Sequence, residues 1–159
     1  MNARDKGIWL EFVSAEKAYI AAMANLRNVD EVEVLREGLL NAAWRRPALL
    51  VIGLTDVKVA ELLLPELLAL ANVGHSLISE VRRCILRVQP EVLGPHVARH
   101  VAGLIDDPSS DDEAYRRIAE LLVDMEDWGL LKTLTNAAAL SSDPDIREVD
   151  EDFGYLCGD

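Results

Sequence analysis

His96-Val97-Ala98-Arg99-His100 sets two imidazoles one helical turn apart, the spacing at which one helix can offer two nitrogen ligands to zinc. A zinc-hydrolase helix also needs a carboxylate directly after its first histidine to activate the metal-bound water, and Val97 stands there instead. Asp106 and Asp107 follow two turns later, so one reading has His96, His100 and one of these carboxylates holding a metal for hydrolase or lyase chemistry. The apolar stripe Leu93, Val97, Val101 puts both histidines on a flank of their helix, which favours partly exposed histidines over ligands. Asp143-Pro144-Asp145-Ile146-Arg147 begins like a calcium loop, but Arg147 occupies the place of an oxygen ligand and the required glycine is missing. With no glycine-rich phosphate loop, G-x-S-x-G elbow or adjacent His-Asp pair, the expectation is a chain without enzymatic activity or cofactor.

The other residues able to do chemistry are carboxylates. The 159-residue chain has a net charge of −12, and residues 106–159 hold 16 acidic against 4 basic side chains while residues 1–105 hold 12 of each. Nucleic-acid binding is disfavoured by that balance, because it requires basic groups to neutralise phosphates. In the C-terminal segment Asp143, Asp145, Glu148, Asp150, Glu151 and Asp152 are interleaved with Phe153 and Tyr155, and Asp124, Glu126, Asp127 and Trp128 form a second such group upstream. Carboxylates with aromatic anchors suit a basic protein: opposite charge speeds encounter and the rings supply buried contact. A solvated tail that only maintains solubility is the competing reading of residues 143–159.

Apolar residues recur at helical spacing almost throughout, without alternating strand patterns, so these groups must ride on helices. A first helix is expected from Ile8 to Leu26 with Trp9, Phe12, Val13, Ile20 and Met23 on one side. A second is expected to start after Asp30, with Glu33 completing a capping box, and to bury Val32, Leu35, Leu39 and Ala42. A short helix with Pro47 in its first turn is expected to end near Gly53, and 59–70 reads as a buried helix bent at Pro65. Ser76 is expected to cap a helix with the stripe Ile78, Val81, Ile85, Val88, and Pro90 to open another carrying Leu93, Val97, Val101 and Leu104. Tyr115, Ile118, Leu122 and Met125, then Trp128, Leu131, Leu134 and Ala138, continue the pattern before a last helix starts near Asp143.

Arginine follows an apolar or aromatic residue in Trp44-Arg45-Arg46, Val81-Arg82-Arg83, Tyr115-Arg116-Arg117 and Ile146-Arg147. Diluted among carboxylates these make no basic stripe, and they fit better as edge residues whose stems cover apolar surface and whose guanidinium groups reach the next helix pair. Leu63-Leu64-Pro65-Glu66-Leu67-Leu68 with Glu80-Val81-Arg82-Arg83, and later Asp143-Pro144-Asp145-Ile146-Arg147, resemble the first- and second-helix signatures of HEAT repeats over about residues 47–150. The resemblance implies an all-α fold, a HEAT-like α-solenoid of stacked antiparallel helix pairs: a single domain with less regular helices over 1–46, repeats over 47–142 and an acidic segment over 143–159.

By size, acidity and lack of catalytic motifs the chain also resembles bacterial toxin immunity proteins, which implies a basic toxin or effector domain, such as a nuclease, as partner. A HEAT-type scaffold subunit using a concave face is the alternative, and the metal-dependent enzyme built on His96 and His100 is a third. The N-terminal MNARDKGIWLEF has no continuous apolar core, and Val57 to Ala71 is interrupted by Lys58, Glu61, Pro65 and Glu66, so a cytoplasmic protein without a membrane partner is expected. Cys84, on an apolar helix face, is expected to be a packed, reduced thiol; Cys157 lies too near the end to read.

Overall fold

The computed structural model describes residues 1–26 and 28–158, and among them the chain forms ten α-helices and no strand. The helices are α1 (Ala3–Leu26), α2 (Glu31–Leu40), α3 (Arg45–Leu54), α4 (Val57–Leu62), α5 (Leu64–Ala71), α6 (Ile78–Ile85), α7 (Pro90–Asp106), α8 (Asp112–Asp124), α9 (Trp128–Ala139) and α10 (Pro144–Phe153), and a 3₁₀ turn, Gly154–Cys157, follows. No helix is long and apolar enough to cross a membrane among the described residues.

Contacts join helices one to three places apart in the chain. Helix α2 packs on α3, α5 on α6, α7 on α8 and α9 on α10; in addition α5 touches α2 and α7, α7 touches α9, α3 touches α6, and α8 touches α10. One continuous core results, from Leu35 and Leu39 in α2 to Ile146 and Val149 in α10. The expected stripes supply it: Leu93, Val97, Val101 and Leu104 of α7 are all buried, as are Leu131, Leu134 and Ala138 of α9. Cys84 is buried too, its thiol donating to the Leu49 carbonyl at 3.4 Å, and burial pushes its pKa up.

Four local expectations give way to competing physics. Residues 59–70 do not form one bent helix: α4 stops at Leu62 and α5 starts afresh at Leu64 with Pro65 in its first turn, where a missing N–H costs nothing. Ser76 caps nothing. Instead His75 Nδ1 accepts the Leu77 N–H at 3.1 Å while its Nε2–H donates to the Leu70 carbonyl at 3.2 Å, so one ring closes the end of α5 and the start of α6. Ala42 is exposed, because α2 ends at Leu40 and the chain turns at Asn41.

Helix α1 differs most. It begins five residues before Ile8, with the Asn2 side chain accepting the Asp5 N–H at 2.8 Å as a cap, and it buries no residue of the expected apolar side. Only Leu26, at its end, packs on the core.

Arginines also join helices that are distant in the chain. Arg87, beyond α6, donates to the Ile52 carbonyl and, at 2.8 Å, to the Thr55 carbonyl, supplying donors for the otherwise open C-terminus of α3. Arg36 of α2 reaches Glu66 of α5 at 2.6 Å.

Candidate functional site

Helix α10 carries six of the twelve predicted partner-binding residues and has two unlike faces. Asp143 starts it, its carboxylate accepting the Asp145 N–H at 2.9 Å with Pro144 in the first turn. Ile146 and Val149 are buried against the preceding helices, and half-buried Phe153 continues that side at helical spacing. Asp145, Glu148, Glu151 and Asp152 are exposed on the remainder, while Asp150 is half-buried. Arg147 is turned away to the carbonyls of Ser141 and Ser142, at 3.0 and 3.2 Å, and so does not neutralise its neighbours. Phe153 therefore belongs to the core side, and Tyr155, 76% exposed, is the aromatic left available in this segment.

The patch reaches α8 through Arg116. This guanidinium pairs with Asp152. That hydrogen bond raises its pKa above the ordinary value, against a small opposing effect of burial, and the nearby charges of Asp112 and Glu148 act in the same direction. One arginine thus sits among three carboxylates, and the surface around it stays negative. Among the described residues, no ion pair within 4 Å involves Asp145, Glu148, Asp150 or Glu151.

Asp124, Glu126, Asp127 and Trp128 lie at the other end of α8. Eight residues separate Arg116 from Asp124, about 12 Å along the axis of α8. Glu126 takes a left-handed backbone (φ 55°) while the Asp127 N–H reaches back to the Leu122 carbonyl at 3.0 Å, a helix-ending turn usually given to glycine. The Asp127 carboxylate is engaged as the cap of α9, accepting from the Leu130 N–H at 3.0 Å. Asp124 lies 3.7 Å from Arg82, whose other partner is Glu120. Glu126 and Trp128 remain exposed here.

The composition does not single out Glu120. It receives Arg82 of α6 and, at 3.0 Å, Arg117 of its own helix. Burial pushes its carboxyl up, yet the hydrogen bonds from Arg82 and Arg117 outweigh this and hold it below the usual carboxylate range. Its spacing from Arg117 was a sequence signal; its meeting with Arg82 depends on how α6 and α8 stack.

His96 and His100 open on a cleft of about 470 Å³ between α5 and α7, together with Asn72, Arg99 and Asp107. His100 Nε2 lies 2.7 Å from Asn72 Oδ1. Asp107 is occupied by Ser109, whose N–H and hydroxyl both donate to Oδ1 at 2.9 and 2.7 Å and lower its pKa. Among the described residues no group of three or more His, Cys, Asp or Glu side chains is arranged to hold a metal ion, so the grouping of His96, His100 and Asp106 or Asp107 gains no geometric support.

Burial holds the His100 pKa below its ordinary value. The folded state therefore prefers the neutral ring. Its contribution is complete above the unfolded pKa of about 6.5 and is lost as pH falls through that value towards the folded one. Urea midpoints measured from neutral to mildly acidic pH should decline in the native chain, and His100→Asn should remove part of that slope.

Compared with family models, with curated proteins and with solved structures, the chain matches none of them.

Proposed function

We propose that the chain is a non-enzymatic protein-binding module, a HEAT-like α-solenoid that presents carboxylates to a basic protein. Most specifically it is an immunity protein that binds and blocks a cationic secreted toxin domain such as a nuclease. The solenoid reading is supported by packing between successive helix pairs, from α2 with α3 through to α9 with α10. One observation carries the binding reading: Asp145, Glu148 and Glu151 stand exposed on a helix whose opposite side is anchored by buried Ile146 and Val149. Such carboxylates meet a partner without ordering a flexible tail first, so less of the attraction is offset by entropy.

The test starts with affinity capture of the partner by the full chain, followed by titration of the purified pair. The partner should be basic, binding should weaken as salt rises, and the triple variant Asp145→Lys/Glu148→Lys/Glu151→Lys should raise Kd by about 100-fold or more. Affinity indifferent to both salt and charge reversal removes the electrostatic mechanism.

A scaffold role is the second reading, favoured by the cleft between α5 and α7, whose apolar floor is edged by Asn72, His96 and Arg99. It predicts that Arg99→Glu releases the partner while the triple variant keeps it.

A further inference from the structure

Helix α1 is the one long element whose sides are left uncovered. Ile8, Trp9, Phe12, Tyr19 and Ile20 share one side of it and remain 41% to 61% exposed, with the Trp9 and Phe12 rings stacked 5.5 Å apart. Within that side Ile8, Phe12, Ala15, Tyr19, Ala22 and Leu26 alternate by four and three residues, the spacing of a helix-pairing seam. We infer that α1 is a self-association helix, and that two copies of the chain pair antiparallel through this apolar side.

Area, charge and geometry select a second copy over other occupants. The five large side chains leave roughly 500 Å² of apolar surface per copy. Two copies together bury about 1,000 Å², the threshold for a specific interface. Helix α1 carries three basic and three acidic side chains, so the excess of −12 lies entirely in the remainder of the chain. Two such acidic bodies repel at close range. An antiparallel pair of helices about 36 Å long sets them at opposite ends, far beyond the ~8 Å screening length at physiological salt. A lipid surface fits less well, because interfacial helices rely on an excess of Lys and Arg that α1 lacks, and an anionic membrane repels the rest of the molecule. Glu16 is the one charged group in the middle of the apolar side, and its desolvation limits the affinity.

Sedimentation equilibrium of the full chain, from micromolar to several hundred micromolar, tests the inference. A monomer–dimer equilibrium is expected that holds or tightens as salt rises, unlike the binding of a basic partner. Trp9→Glu/Phe12→Glu should raise the dimer dissociation constant by about 100-fold, and Glu16→Leu should lower it. Helical circular dichroism of the variants checks that the remaining helices are intact. A chain that stays monomeric throughout this range overturns the inference, as does a dimer indifferent to the Trp9/Phe12 change. A monomer that co-sediments with phosphatidylcholine–phosphatidylglycerol vesicles also overturns it, assigning α1 to a bilayer instead.

Discussion

A chain ended at Arg147 should lose at least about 4 kcal/mol of folding stability, a large share of the ~5–15 kcal/mol that holds a domain of this size together. The cut removes fully buried Val149 and half-buried Phe153, leaves Ile146 at a frayed end, and uncovers the sides of α8 and α9 on which α10 packs. Urea denaturation followed by circular dichroism should show a collapsed midpoint or no cooperative transition. An unchanged midpoint in the shortened chain would mean that α10 is not part of the core. Deletion is therefore the wrong instrument for locating a binding site at this end of the molecule. Charge reversal at Asp145, Glu148 and Glu151 changes the exposed face and leaves the buried one alone.

Glu120→Ala should cost about 2–3 kcal/mol, near the lower end for breaking a buried ion pair. The variant leaves Arg82, whose side chain is 16% exposed, with Asp124 at 3.7 Å as its remaining acidic neighbour, and it also takes from Arg117 its partner one turn along α8. Partial exposure of Glu120 itself, at 29%, lets water compensate for some of the loss. Glu120→Gln keeps an acceptor and should cost less, and Arg82→Met combined with Glu120→Leu should recover much of the difference. The linkage has a definite sign. The folded pKa of Glu120 lies below its unfolded value, so its contribution is present above the unfolded pKa and disappears as pH falls through the folded one. The native chain should accordingly lose stability more steeply on acidification than the other carboxylates alone would produce, and Glu120→Ala should flatten this limb. Equal acid midpoints for both proteins would exclude the coupling.

The all-helical class was legible because burial imposes a period of 3.6 on apolar residues, and α7 shows how directly: Leu93, Val97, Val101 and Leu104 are the residues that pack. Helix starts with a local cap were legible for the same reason of proximity, as with Asp30 accepting the Glu33 N–H at 3.2 Å. The break before Pro65 is not distinguishable from a bend in the sequence, since the residues around it satisfy either geometry and only the packing of α5 against α2, α6 and α7 chooses between them. Within the candidate site, the residue types and the charge surplus were visible in the chain, but which carboxylates are committed was not. Asp127 is a cap, Asp152 is paired with Arg116, and Phe153 faces the core.

What the sequence by itself determined is what local spacing controls: helices, their apolar sides, most of their ends, and a C-terminal third rich in carboxylates. Tertiary structure alone decided which apolar sides find a partner. The side of α10 is covered and that of α1 is not, although both carry residues at helical spacing. It also decided which charges are neutralised, as when Arg82 meets Glu120 across 38 residues of chain. The reason is physical: periodicity is set by bonds between residues three and four apart, whereas burial and ion pairing depend on how separate helices stack.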